Sequence, residues 1–366
     1  MRLLICAGGT GGGVYPALAV LQALSDSLET LWVGGEGGME AGLVQRAGVP
    51  FKAIPAAGVH GVGLRALPGN LWRLTRGFFA ARRILDEYRP DVLFFTGGYV
   101  AVPMALAGWR IPSLLYVPDI EPGLALRTLA RFASRICITV EESARFFRRP
   151  ARLRLTGYPV RRELTGWTRR TGRQALGLSE TEPVLLVTGG SKGARSINHA
   201  VLDSLPGLLE LAQVVHITGE LDWPEVEART RSLSEAQLAR YHLYPYLHEE
   251  MGAVLAAADL VLSRGGASAL GEYPLFGLPA ILVPYPHAWH YQKVNAAYLT
   301  RMGAAVTLED SLLSETLLPT VRAILQTPER LESMRGCMRR LAHPGAAKEI
   351  AGELLALAKK RRGHRG

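Results

Sequence analysis

Apolar residues in this chain come in short, dense runs instead of long amphipathic stripes. Runs at positions 3–6, 31–33, 91–95, 113–116, 134–138, 184–188, 214–218, 259–263 and 280–283 are rich in leucine, isoleucine and valine. Runs this short, with no polar alternation, predict strands buried on both faces, as in a parallel sheet. Between them lie stretches of helical spacing, such as 39–47, closed by Gly48, and 252–258. The alternation predicts an α/β protein, and its restart at Pro183 predicts a second domain. Residues 1–160 are expected to form the first domain, 161–340 the second, and 341–366 a terminal helix with a basic tail.

Several runs break abruptly into glycine. After Val184 to Thr188 come Gly189, Gly190 and Gly193, with Ser191, Lys192 and Arg195 placed where a helix would start. A helix N-terminus offers free N–H groups and a positive dipole end, so strand, glycine turn and helix together suit a diphosphate. We read this loop as the holder of a nucleotide-sugar. AGGTGGGVYPALAV at 7–20 repeats the pattern after the first run. One such loop is a weak signal, but one near the start of each half predicts two Rossmann-like domains facing each other across a cleft. Asp119 and Glu121 follow the run at 113–116, at the sheet edge where ligands gather, although such acids also solvate turns. Glu272, expected about two turns into the helix opened by Gly265 and Gly266, could accept both hydroxyls of a ribose or simply face solvent.

Composition narrows the class. A chain of 366 residues with 48% hydrophobic content can bury two cores. The net charge is +10, with arginine far outnumbering lysine, which fits nucleic acid, anionic lipid or a phosphorylated small molecule. Because the arginines are spread among α/β elements and no nucleic-acid-reading motif occurs, a nucleic-acid partner is not expected. Cys6, Cys137 and Cys337 are odd in number and far apart, so they predict inert thiols in a reducing compartment. The N-terminus leads straight into a strand and no window approaches ~20 apolar residues, which predicts a soluble or peripheral protein. The glycine-rich segment 56–69, which contains His60, reads as a mobile loop beside the cleft. From Asn70 a helix carries Trp72, Phe78, Arg76 and Arg82. It reads either as a surface for the headgroup layer of an anionic membrane or as an ordinary amphipathic helix. The like-charge run in 358–366 reads as disordered.

GGTGGGVYPALA at 8–19, TGGYVAVP at 96–103, GGSKGARSIN at 189–198 and SRGGASALGE at 263–272, with Gln292 and Asn295 downstream, resemble in order and spacing the MurG family. The resemblance implies a GT-B architecture, with lipid acceptor on the first domain and UDP-sugar on the second. It also implies inverting transfer of N-acetylglucosamine from UDP-GlcNAc to undecaprenyl-diphosphate-linked muramyl-pentapeptide in peptidoglycan synthesis. The implied location is peripheral, against the anionic inner leaflet on the cytoplasmic side of the cell membrane. By position, Thr10, Gly11, Gly12 and Asp119 would lie on the sugar side, and Arg161 and Ser191 would approach the diphosphate. Backbone around Leu247 would meet the uracil. Ala267, Ser268, Ala269, Leu270, Gly271 and Glu272 would line the nucleotide, and Gln292 would reach the transferred sugar. The chain departs from the family where histidine is usual at Gly13, and where Tyr116, Val117, Pro118 and Asp119 replace His-Glu-Gln-Asn. His60 and Asp119 are therefore the candidate bases. With no D-x-D triplet, neither metal nor cofactor is expected. Another lipid-directed glycosyltransferase, a UDP-GlcNAc 2-epimerase and a silent nucleotide-sugar-binding protein are the alternatives.

Overall fold

All nine apolar runs lie in strands of two wholly parallel sheets, in a computed structural model that describes residues 1–8, 11–24, 28–58, 67–190, 193–286 and 290–363. The first sheet contains β1 (Arg2–Cys6), β2 (Glu29–Gly35), β3 (Phe51–Ile54), β4 (Val92–Phe95), β5 (Ser113–Val117), β6 (Arg135–Ile138) and β7 (Leu153–Leu155), in the order β3-β2-β1-β4-β5-β6-β7. The second contains β8 (Val184–Thr188), β9 (Gln213–Ile217), β10 (Tyr241–Tyr244), β11 (Leu260–Ser263), β12 (Ala280–Leu282) and β13 (Ala305–Thr307), in the order β10-β9-β8-β11-β12-β13. Each sheet is doubly wound and reverses direction once, between β1 and β4 in the first and between β8 and β11 in the second. In such sheets the crevice for a ligand opens beyond the carboxyl ends of the strands at the reversal.

The chain divides into two compact units, Met1–Arg161 with Pro344–Gly366, and Arg162–His343. The terminal segment is thus part of the first unit. Its helix, Ala346–Gly363, buries Ile350, Ala351, Leu354 and Ala358 and packs on the helix Gly11–Gln22 and on β4 and β5. The disorder expected for the basic run does not hold for 358–363, which is helical, because this apolar stripe anchors it. Arg361 also donates from Nη1 to the Pro90 carbonyl at 2.9 Å.

In the first unit Leu4, Val33, Leu93, Phe95, Leu115 and Ile136 fill the space beneath Ala81, Ile84 and Leu85 of the helix Leu67–Tyr88. That helix starts three residues before the expected Asn70, and it crosses so close to the chain after β3 that a Cβ on Gly77 would collide with the Pro55 carbonyl. In the second unit Leu185, Val187, Val214 and Leu262 pack against Ile197, Val201, Leu317 and Val321. Arg173, buried beneath this sheet, donates to Asp259 at 2.7 Å and to the carbonyls of Ser179, Glu180 and Glu182 at 2.7, 2.8 and 2.9 Å. Desolvation lowers its pKa, but the paired carboxylate and the fan of carbonyls keep the ion satisfied.

Candidate functional site

All four glycine turns singled out by the sequence leave the carboxyl ends of the strands flanking the two reversals, β1 and β4 in one unit and β8 and β11 in the other. In the first unit the turn after β1 is held from three sides. Trp32, fully buried, donates from Nε1 to Ala7 O at 2.9 Å. Thr96 Oγ1 donates to Gly13 O at 2.6 Å, and Gly98, at φ 86°, sits where a Cβ would be 2.7 Å from Gly8 O. The third support is Glu40, 1% exposed, which accepts the Gly35 N–H at 2.8 Å and fills the place of any side chain on Gly8 or Gly38. Its proximity adds to burial in pushing the Cys6 thiol far above its ordinary range, which leaves Cys6 inert.

Gly11 and Gly12 open the helix Gly11–Gln22, and the Arg161 guanidinium lies 4.3 Å above the ring of Tyr15 on that helix. A Cβ on Gly13 would meet Thr96 Oγ1 only at 3.6 Å, an ordinary contact. At the end of β5, Tyr116, Val117 and Pro118 are buried and Asp119 is half-buried. Burial pushes the Tyr116 hydroxyl well above 10, and it lies 2.7 Å from Thr139 Oγ1, which reaches Val117 O and Pro118 O at 3.0 and 2.9 Å. Of the four positions that depart from the family pattern here, only Asp119 presents an ionisable side chain outside the core. Glu121 is paired with Arg127 at 2.9 Å. Thr10, His60 and Ser191 lie outside the described residues.

In the second unit Gly190 and Gly193 adopt φ 80° and 76°, and the Gly193 N–H donates to Gly190 O at 3.0 Å to close the turn. The turn enters the helix Arg195–Asp203 through Ala194, with no side chain capping the helix. Asn198 on that helix is buried and donates to Thr218 O at 3.0 Å and to Asp222 Oδ2 at 2.9 Å, tying the helix to the end of β9. Leu247 is half-buried, three residues past β10, between Tyr246 and His248, whose rings are 4.5 Å apart. Beyond β11, Ala267–Leu270 forms a 3-10 turn that buries Ala267, Ala269 and Leu270 and leaves Ser268 half-buried. Gly271 is buried as well, and Glu272 is the first residue of the helix Glu272–Phe276. The expectation that Glu272 stands two turns into a helix is therefore corrected: the two glycines lead into a tighter turn, which brings its half-buried carboxylate to the start of the helix. Gln292 and Asn295 sit in the first turns of the helix Tyr291–Arg301, and Asn295 Nδ2 donates to Gly265 O at 3.2 Å. A side chain on Gly265 would strike the Gln292 carbonyl, so this glycine permits the approach.

Away from these edges, the helix Leu67–Tyr88 exposes Leu71, Trp72 (65%) and Phe79 (65%), with Arg76 and Arg82 also exposed and Phe78 half-buried. Phe78, expected on this face, is half-buried, and the ring that faces out is Phe79, one position round the helix. Near the C-terminal end of this helix, at the edge opposite the glycine turns, Arg82, Arg89, Arg110 and Arg361 line an open cavity of about 850 Å³ with Asp86 and Trp109. Arg110 stacks on the exposed Trp109 ring at 4.7 Å. No helix among the described residues is long and apolar enough to cross a membrane.

Residues 3–138 match the glycosyltransferase family 28 N-terminal domain and residues 184–350 its C-terminal domain. A UDP-N-acetylglucosamine–N-acetylmuramyl-(pentapeptide) pyrophosphoryl-undecaprenol N-acetylglucosamine transferase of a Roseiflexus strain is 41% identical, over 96% of this chain and 94% of its own length. A protein of the same name from Desulforamulus reducens is 38% identical, over 96% and 97%. Among solved structures, Acinetobacter baumannii MurG superposes with a TM-score of 0.75 at 26% identity, covering 97% of this chain and 99% of its own. A UDP-GlcNAc 2-epimerase from Neisseria meningitidis reaches 0.68 at 14% identity, covering 97% and 100%, a likeness of fold alone.

Proposed function

This chain belongs to the MurG family within glycosyltransferase family 28, and from that premise we propose that it transfers N-acetylglucosamine from UDP-GlcNAc to lipid-diphosphate-linked muramyl-pentapeptide. The observation that carries this reading is the gathering of all four glycine turns at the two strand reversals, the place where doubly wound sheets bind nucleotides. The uncapped N-terminus of Arg195–Asp203, entered through the Gly190–Gly193 turn, offers N–H groups to the diphosphate, assisted by Arg161. Glu272 takes the ribose hydroxyls, Leu247 backbone the uracil, and Gln292 the sugar.

The reaction is a single displacement. The acceptor hydroxyl oxygen bonds to the anomeric carbon, the bond to the diphosphate oxygen breaks, and UDP leaves with the electron pair. The negative charge that grows on the leaving diphosphate meets donors already oriented toward it, which lowers the barrier without a metal ion. The acceptor proton passes to Asp119, the ionisable group left outside the core where Tyr116 and Val117 have been absorbed into it.

The acceptor is drawn from a membrane surface. Trp72, Phe79, Arg76 and Arg82 give one helix an aromatic and cationic face, and the arginine-lined cavity extends the positive surface from Arg82. Phe78, half-buried, supports that face from behind. The protein is thus read as peripheral, on the cytoplasmic leaflet.

Incubation with UDP-GlcNAc and a short-chain lipid-linked acceptor tests the proposal. Disaccharide-linked product and stoichiometric UDP are expected. Release of epimerised free sugar, or saturable donor binding without turnover, would replace it with the epimerase or silent-binder reading.

A further inference from the structure

Arg264 directly follows β11 in the turn that carries Gly265 and Gly266, a place where a cation invites assignment to the diphosphate. Its guanidinium is committed elsewhere. Nη1 pairs with Asp310 and donates to Val283 O at 3.1 Å. Nη2 donates to Ser196 Oγ at 2.8 Å, and Ser196 in turn donates to Asp310 at 2.7 Å. The side chain keeps only 11% of its exposure, and its Cζ lies 5.2 Å from the centroid of the Tyr285 ring. The Tyr285 backbone N–H donates to Gln292 Oε1 at 2.8 Å.

The geometry points to Arg264 as a positioning residue for the donor sugar. Its planar fork, fixed by Asp310 and Ser196, is a shelf on which Tyr285 rests, and the Tyr285 main chain holds the Gln292 amide in one orientation. Because an N–H can pair only with the amide oxygen, Oε1 is taken, and Nε2 is the end that Gln292 offers to a ligand. Gln292 is thereby a hydrogen-bond donor, suited to a sugar hydroxyl or carbonyl oxygen. Lysine could supply the charge but neither the stack nor the fork. Ser196 lies in the first turn of the helix assigned to the diphosphate and keeps its own bond to Asp310, so loss of the Arg264 fork releases the sugar end of the donor site while that helix stays anchored.

This inference rests on the reading of Gln292 as a sugar contact, and the test separates the two. Arg264→Lys, Arg264→Ala and Gln292→Ala are compared with the unmodified chain for UDP and UDP-GlcNAc affinity by calorimetry, and for exchange of the Tyr285 amide by hydrogen–deuterium exchange. Arg264→Lys is expected to bind UDP within about twofold of the unmodified chain, to bind UDP-GlcNAc about tenfold more weakly, and to exchange the Tyr285 amide at least about tenfold faster. Equal losses for UDP and UDP-GlcNAc with the Tyr285 amide still protected would make Arg264 a diphosphate ligand and overturn the inference. Equal losses accompanied by general loss of protection would reduce it to a fold-stabilising residue, which also overturns it. If Gln292→Ala binds both ligands as the unmodified chain does, the sugar-contact reading fails, while fast exchange at Tyr285 in Arg264→Lys still upholds the brace.

Discussion

Asn198 Oδ1 lies 3.0 Å from His216 Nε2, and this contact fixes the tautomer of a fully buried imidazole. The Asn198 amino group already serves Thr218 O and Asp222, so its oxygen faces the ring and the proton resides on Nε2. Nδ1 then accepts from the Tyr241 hydroxyl at 2.7 Å. Burial pushes the imidazole down from 6.5 to about 3. Between those values the unfolded chain holds the extra proton and the folded chain does not, so stability falls as pH is lowered. Urea unfolding should show this group alone costing about 2 kcal/mol at pH 5 relative to neutral pH. His216→Gln should flatten the profile between pH 4 and 7; an unchanged slope would remove His216 from the account.

Gly193 should tolerate no side chain. At φ 76° a Cβ would be strained and would strike Thr218 O, forcing the diphosphate turn away from the end of β9. Gly193→Ala is expected to weaken UDP binding by at least about tenfold, a loss of about 1.4 kcal/mol or more, read by calorimetry. Gly166, with open space around its Cα, serves as the control and should accept alanine with UDP affinity unchanged.

Replacement of the proposed base separates chemistry from binding. Asp119→Asn should lower kcat by about 10²–10⁴-fold and leave UDP-GlcNAc affinity within about twofold. His60→Ala should turn over near the unmodified rate. The opposite pattern would move the base to His60.

The exposed aromatics can be tested for lipid contact without disturbing the core. Trp72→Ser and Phe79→Ser should each reduce sedimentation with vesicles containing anionic phospholipid, and the double variant more so. Both rings are 65% exposed, so the melting temperature should shift by no more than about 2 °C. Phe78→Ser, which removes a half-buried ring lying 5.6 Å from Phe79, should lower it further. Equal vesicle binding by the Trp72 and Phe79 variants would relocate the membrane surface.

Metal removal provides a fifth measurement. Transfer assayed after dialysis against a strong chelator should keep its rate, and restoration by magnesium or manganese alone would contradict the proposed electrostatics.

How much of this was legible in the sequence depended on burial. The strands read from apolar runs are the interior ones, whose residues are buried on both faces. Those passed over are β3, β7, β10 and β13, the four outermost strands of the two sheets. Each has one neighbour and a partly exposed side, so residues such as Lys52, Arg154, His242 and Thr307 interrupt the apolar signal. The glycine turns were readable because positive φ and close approach admit few other residues. Arg264 was not, since its partners Ser196 and Asp310 are separated from it by 68 and 46 positions. Nothing in the local sequence distinguishes a bracing arginine from a phosphate-binding one. The same limit applied to Phe78 and Phe79, adjacent rings whose exposure is settled only by the helix phase against Gly77 and Pro55.

The return of the helix Ala346–Gly363 to the first unit sets an order on biosynthesis. Leu354 and Ile350 cover apolar surface belonging to residues translated more than two hundred positions earlier, so the first unit is sealed only after the second has been made. Until that helix is in place, the side chains it covers on the helix Gly11–Gln22, β4 and β5 stay open to solvent. Truncation within this helix therefore uncovers the core of the first unit and spares that of the second.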